Sequence, residues 1–260
     1  MERELRAVIL AAGRGTRMKS DLPKVLHHLR GRPMVEYVIQ ACRDVGVQTI
    51  YVVVGYGAEK VRQALGPNLC YVTQQPQLGT GHALQQVAPL LADYSGDLLV
   101  LVGDSPLVTA GLLRGLWQRH QSSGAAATFL TAVFDRPPAY GRVLRDQHGR
   151  VVRVVEEADA SPEIAAIKEV ITSQYCFRAE IVLPLLHRID NRNAKGEYYL
   201  TDIVGILTSE GHEVEAMQVQ DTRLVWAVNT PQELAQAERF LAELQAEQAV
   251  APEGVKESSR

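Results

Sequence analysis

Between Ala7 and Val102, four short apolar runs alternate with three amphipathic stretches. The runs are Ala7–Ala12, Thr49–Val54, Leu69–Thr73 and Leu98–Val102; the stretches are Pro33–Asp44, Ala58–Leu65 and Thr80–Leu91. Few architectures accommodate this alternation. Each run is too short to be a buried helix and has little polar alternation, so it reads as a strand covered on both faces. Pro33 stands in the first turn of its stretch and Gly66 just past the end of another, as these residues do at helix termini. The βαβαβαβ rhythm predicts an α/β chain with a doubly wound, mainly parallel, Rossmann-like sheet and helices on both faces. In such sheets ligands bind beyond the carboxyl ends of the strands. Gly13, Gln74 and Asp104 follow the first, third and fourth runs and so fall on that edge.

After Gly124 the rhythm changes. Ala125–Val133, Arg142–Leu144, Val151–Val155 and Ile171–Phe177 are strand-like, with a hairpin turn expected at 146–149. They predict an α+β insertion continuous with the first sheet. Leu224–Val228 reads as a last strand, and Thr230 with Pro231 opens a helix carrying Leu234, Ala237, Leu241 and Leu244 at helical spacing. The chain therefore divides into a first half (1–124), a second half (125–228), a C-terminal helix (229–250) and a polar, flexible tail (251–260).

Composition excludes several partners. A net charge of −3 spreads no broad basic field, so no nucleic acid is expected. No apolar run reaches the roughly 18 residues that cross a bilayer, and Ala7–Ala12 is too short for a signal-peptide core. Cys42, Cys70 and Cys176 are odd in number, far apart and without metal-ligand spacing. They read as reduced thiols of the core in a cytoplasmic protein.

The most informative segment is Leu10-Ala11-Ala12-Gly13-Arg14-Gly15-Thr16-Arg17-Met18, with Pro23-Lys24 downstream. Glycines after a buried strand let backbone N–H groups approach an anion, and Arg17 and Lys24 add charge for phosphate oxygens. A plain strand-to-loop turn with solvated basic side chains shares this composition. Two phosphate motifs are excluded outright. A dinucleotide fingerprint needs a third glycine where Met18 stands, and the Walker sequence Gly-x-x-x-x-Gly-Lys-[Ser/Thr] is absent.

This loop, with Leu22-Pro23-Lys24-Val25-Leu26-His27, resembles the signature of the sugar-nucleotide pyrophosphorylases. It is most similar to the uridyltransferase domain of the bacterial bifunctional N-acetylglucosamine-1-phosphate uridyltransferases. Further segments recur in family order: Gln77-Leu78-Gly79-Thr80-Gly81-His82-Ala83, Gly103-Asp104-Ser105-Pro106-Leu107, Tyr140-Gly141-Arg142, Gly196-Glu197-Tyr198-Tyr199-Leu200-Thr201-Asp202 and Val228-Asn229. The resemblance covers Val8 to about Glu238 and implies a nucleotide-diphospho-sugar transferase fold. It makes the first half nucleotide-binding and the second half sugar-binding. It also implies Mg2+-dependent formation of a UDP-sugar and pyrophosphate from UTP and a sugar 1-phosphate, foremost N-acetylglucosamine 1-phosphate. The attacking group in that chemistry is an already ionised phosphate oxygen. No general base is needed, and catalysis consists of aligning two polyanions and neutralising charge.

By the same resemblance, Asp104 and Asn229 hold Mg2+, a cation usually bound by few protein oxygens plus substrate. Arg17 and Lys24 meet the triphosphate and the sugar phosphate. Leu10, Ala11, Ala12, Gly13, Gly15, Thr16, Gln74, Gly79, Thr80 and Gly103 surround the nucleotide, and Gly141, Glu156 and Thr201 the sugar. Taken alone, Asp104 is equally a turn or helix-start aspartate, and Asn229 a cap before Thr230-Pro231. Arg17 and Lys24 are equally solvated charges. Gln75 competes with Gln74 for the base-facing register, and His82 reads as structural.

Two departures stand out. Where relatives carry Val-Glu-x-Lys-Asp-Ala, this chain has Val155-Glu156-Glu157-Ala158-Asp159-Ala160. Where they carry Glu-Ile-Asn-Thr-Gly, it has Glu169-Val170-Ile171-Thr172-Ser173. Ile171 cannot hydrogen-bond a sugar hydroxyl, which costs about 1–3 kcal/mol if that hydroxyl goes unpaired. Another sugar 1-phosphate, or a catalytically impaired nucleotide-binding module, are the alternatives these changes raise. The hexapeptide repeats of the bifunctional members do not follow, so acetyl transfer is not expected, and a monomer or small homo-oligomer is.

Overall fold

A computed structural model describes residues 3–250; the tail expected at 251–260 lies outside them. In chain order the main elements are β1 (Leu5–Ala11), α1 (Met34–Asp44), β2 (Ile50–Val54), α2 (Ala58–Leu65), β3 (Cys70–Thr73), α3 (Thr80–Val87), β4 (Asp97–Val102) and α4 (Ala110–Ser123). They continue as β5 (Ala127–Val133), β6 (Arg142–Arg145), β7 (Val151–Val155), β8 (Glu169–Arg178), α5 (Asp202–Ser209), β9 (Val214–Gln218) and α6 (Pro231–Val250). All nine of these strands form one sheet, ordered β9-β5-β8-β4-β1-β2-β3, with the β6–β7 hairpin attached to β8.

β1 is central, parallel to β2 on one side and to β4 on the other. Ala7, Val8 and Ile9 are wholly buried, which is why this strand lacks polar alternation. Val8 faces a core with Leu84, Val87 and Phe129, while Ala7 and Ile9 face another with Val38, Leu113 and Leu116. The second half continues the same sheet, because β8 runs antiparallel between β4 and β5. α6 lays Leu234, Ala237 and Leu241 on a smaller cluster of Met18, Leu29, Met34, Leu107 and Val228.

Three local expectations need correction. Leu224–Val228 is not a strand: Asp221 accepts from the backbone N–H of Arg223, starting a 3₁₀ turn at Thr222–Val225. The missing edge strand is β9, whose glutamate and glutamine disguise it as a loop. The helix expected to run to Leu91 ends at Val87, and Pro89 lies in a 3₁₀ turn over Ala88–Leu91. Cys42 and Cys176 are buried as expected, whereas Cys70, on the edge strand β3, is exposed. Among the described residues no helix is long and apolar enough to cross a membrane.

Candidate active site

The loop after β1 is built around two anchors. Met18 is buried in the α6 cluster and fixes the 3₁₀ turn Thr16–Met18, which leaves Arg17 exposed at the carboxyl edge of the sheet. Gly15 has φ 68°, and a Cβ there would come 2.5 Å from the Lys24 Cβ. Only glycine therefore lets the Lys24 side chain pass over the loop. The β1 end is tied in by backbone: Gly103 N–H donates to Leu10 O (3.0 Å) and Tyr56 N–H to Ala12 O (3.1 Å). Gly13 is exposed with open space beside it.

Lys24 leads to the centre of the site. Its ammonium donates to Asp104 Oδ2 in a very short ion pair and to Asn229 Oδ1 at 3.0 Å. The other Asp104 oxygen, Oδ1, is buried without a hydrogen-bond partner. Val228 N–H donates to Asp104 O (2.9 Å), so the two ligand-type side chains are held on adjacent backbone. Asn229 is further set by its N–H donating to Glu233 Oε2 (2.7 Å), while Thr230 Oγ1 accepts from Glu233 N–H (3.2 Å). This is a capping-box arrangement displaced by one residue. A divalent cation fits this donor set: Asp104 Oδ2 and the Asn229 amide oxygen already gather around a positive charge, and Asp104 Oδ1 beside them has no partner. Among the described residues no group of three or more His, Cys, Asp or Glu could hold a metal, so a cation here would draw its remaining ligands from substrate and water.

A cavity of about 240 Å3 opens from this centre. Its lining includes Arg17, Thr80, Asp104 and Asn229 together with Gly141, Glu156, Ile171 and Ser173. Arg17 makes no side-chain hydrogen bond among the described residues. The Glu156 carboxylate accepts from Thr201 Oγ1 (2.9 Å). Burial pushes its pKa up, with the Thr201 hydroxyl opposing. Gly141 allows Val154 and Ile171 to pack close: a Cβ there would meet Val154 Cγ1 at 2.7 Å and Ile171 Cγ2 at 3.1 Å. Thr80 Oγ1 accepts from Leu200 N–H (3.0 Å), which joins the start of α3 to the Tyr-Tyr-Leu-Thr-Asp segment. Ala158 is exposed, in a 3₁₀ turn at Glu157–Asp159.

Gln74 and Gly79 lie together but do not line this cavity. Gln74, not Gln75, is the buried amide; its Nε2 donates to Gly79 O (2.9 Å) and sits 3.1 Å from His82 Nδ1. Several lining residues were not among the sequence candidates, Tyr140 and Ser173 among them. Tyr140 accepts from Ala227 N–H (3.1 Å), and burial lifts its phenol to about 12. Ser173 adopts φ 63°, a left-handed conformation costing about 1–2 kcal/mol for a residue with a side chain. The Tyr-Gly-Arg motif pointed to the neighbourhood of Tyr140, and the altered segment 169–173 to that of Ser173. Arg142, by contrast, is structural: its guanidinium donates to the carbonyls of Pro138 and Ala165.

Comparison with known proteins places the chain in a family. The chain is similar to the bifunctional protein GlmU of Pelotomaculum thermopropionicum, 49% identical over 238 residues, which are 92% of this chain and 52% of that protein. It is similar also to that of Heliobacterium modesticaldum, 47% identical over 235 residues, 90% and 51% of the two lengths. The chain thus spans about half the length of the curated relatives it matches. In three dimensions it superposes on a Bacillus anthracis protein assigned provisionally as a glucose-1-phosphate thymidylyltransferase, with TM-score 0.74 and 18% identity over 91% of this chain and 94% of the other. That likeness shows the nucleotide-sugar transferase type of fold. The family described as MobA-like NTP transferase domain matches residues 7–181, which hold the glycine loop, Lys24, Asp104 and the β8 bridge between the halves. The chain belongs to that family and is a nucleotidyltransferase.

Proposed function

We propose that the chain is a cytoplasmic uridylyltransferase, forming a UDP-sugar and pyrophosphate from UTP and a sugar 1-phosphate, foremost N-acetylglucosamine 1-phosphate. The observation that carries this reading is the convergence of Lys24 with Asp104 and Asn229, two residues that line the cavity. The similarity to the GlmU proteins supports the choice of UTP and of the acceptor.

In this reading the backbone from Leu10 to Thr16, with Gly103, lies along the nucleotide, and Gln74, Gly79 and Thr80 flank the base. Gln74 suits a pyrimidine edge because an amide both donates and accepts. Asp104 and Asn229 would hold Mg2+. When bound, that ion would supply neutralisation of phosphate charge. Arg17 reaches the cavity from the exposed side and supplies charge to the triphosphate; Lys24 does so from within. Holding the sugar phosphate in line with the α-phosphorus replaces a bimolecular encounter by an intramolecular one. Gly141, Glu156 and Thr201 hold the sugar hydroxyls. Ile171 lines the cavity with an apolar face, which favours a second reading in which the acceptor is another sugar 1-phosphate.

The test is pyrophosphate release with UTP and Mg2+ across a panel of sugar 1-phosphates. Release with one acceptor well above the rest supports the proposal and names the substrate. Tight UTP·Mg2+ binding without release for any acceptor would convert the reading to a nucleotide-binding module.

A further inference from the structure

A regular strand sends successive side chains to opposite faces, yet Ile171, Thr172 and Ser173 of β8 all line the same cavity. The cause is a break in pairing: the register of β8 against β5 shifts between Ile171 and Tyr175. Bulges of this kind re-aim side chains and collect near active sites. Three non-glycine residues among those described have positive φ, namely Lys19, Arg30 and Ser173. Lys19 and Arg30 are exposed outside the main sheet, whereas Ser173 is half-buried within a strand. Strain held inside a strand at a cavity wall calls for a compensating use.

Of the three side chains, Ser173 alone carries a hydroxyl that is not bonded to backbone. Ile171 is apolar and packed into the core, and Thr172 Oγ1 donates to Leu130 O (3.1 Å). Ser173 makes no well-aligned hydrogen bond among the described residues, although its hydroxyl stands near that of Tyr175. Glu156, which lines the same cavity, has one oxygen already engaged by Thr201.

We propose that Ser173 is a specificity-determining residue, whose hydroxyl hydrogen-bonds a hydroxyl or amide substituent on the ring of the acceptor sugar phosphate. This rests on the reading of the cavity as the acceptor site.

The experiment measures KM for acceptor and for UTP in the full chain and in Ser173→Ala and Ser173→Gly. The acceptors are N-acetylglucosamine 1-phosphate, glucose 1-phosphate and deoxy derivatives of the better one. Both variants are expected to raise acceptor KM by about two- to tenfold, the net value of one neutral hydrogen bond, and to leave the UTP value within about twofold. The increase should vanish for the one deoxy acceptor that lacks the contacted group. Ser173→Gly relieves the left-handed backbone, so a melting temperature at or above that of the unaltered chain separates loss of the hydroxyl from loss of folding. Unchanged acceptor KM in both variants, or equal losses on every deoxy acceptor, overturns the assignment of Ser173 while leaving the uridylyltransferase reading intact. Absence of turnover by the unaltered chain with every acceptor overturns both.

Discussion

Replacing Lys24 by Met tests the centre of the site without requiring turnover. The Lys24 and Asp104 side chains are only 16% and 13% exposed, and Asp104 Oδ1 is already unpartnered. Lys24→Met therefore strips the remaining strong contact from a nearly buried carboxylate and frees Asn229 Oδ1 as well. Breaking a fully buried pair from one side costs about 3–5 kcal/mol. Water can reach this pair from the cavity, so about 2 kcal/mol is the better figure. For a chain of this size that lowers the melting temperature by about 4–8 °C. The assay is calorimetric unfolding in EDTA and again in Mg2+ without nucleotide. A cation that shares the Lys24 position should stabilise the variant more than the parent, because the parent must first displace its own ammonium. A melting temperature within about 1 °C of the parent in EDTA, or equal Mg2+ shifts in both proteins, would refute the argument that Lys24 occupies the cation position.

Three other perturbations follow from the same geometry. Gly141→Ala forces a methyl to within 2.7 Å of Val154 Cγ1 and should cost about 1–3 kcal/mol by urea unfolding; an unchanged midpoint would show that β7 yields freely. Burial lowers the His120 pKa from 6.5 to about 4 in the folded chain, so the unfolded chain binds this proton first. Stability contributed by neutral His120 is thus present above about pH 6.5 and falls as the pH drops toward 4, by about 1–3 kcal/mol, and calorimetry at pH 5 and 7 should show a smaller difference in His120→Gln. Asp202 carries the opposite sign: burial and the neighbouring carboxylates of Glu156, Asp190 and Asp159 raise its pKa from 3.8 to about 6, which disfavours the ionised form at neutral pH. Asp202→Asn should raise the melting temperature by about 2–5 °C at pH 7, with the gain lost below about pH 4, where the carboxyl is protonated in both states. A gain independent of pH would mean that charge is not its cause.

The strands around β1 were legible because burial on both faces leaves a mark in every residue: Ala7, Val8 and Ile9 admit no polar alternate. The glycine loop was legible for a similar reason, since Gly15 is required by a contact only nine residues away in sequence, with Lys24. α4 and α5 were not read as helices. In α4 only Leu113, Leu116 and His120 are buried and two glycines interrupt it, while β9 is a half-exposed edge strand without a clean alternation.

Residue types at the site were equally readable, because phosphate and metal chemistry demands Arg, Lys, Asp and Asn at strand ends. Their assembly was not. Lys24 meets Asp104 across 80 positions and Asn229 across 205, and nothing local records such a meeting. The left-handed Ser173 is likewise a product of the register between β8 and β5. Sequence alone determined the buried strands around β1, the loop and the family they belong to, since those are recorded within short segments. Tertiary structure alone decided that an ammonium stands beside the two metal-type side chains and that Ser173 lines the cavity, because contacts between segments distant in sequence set both.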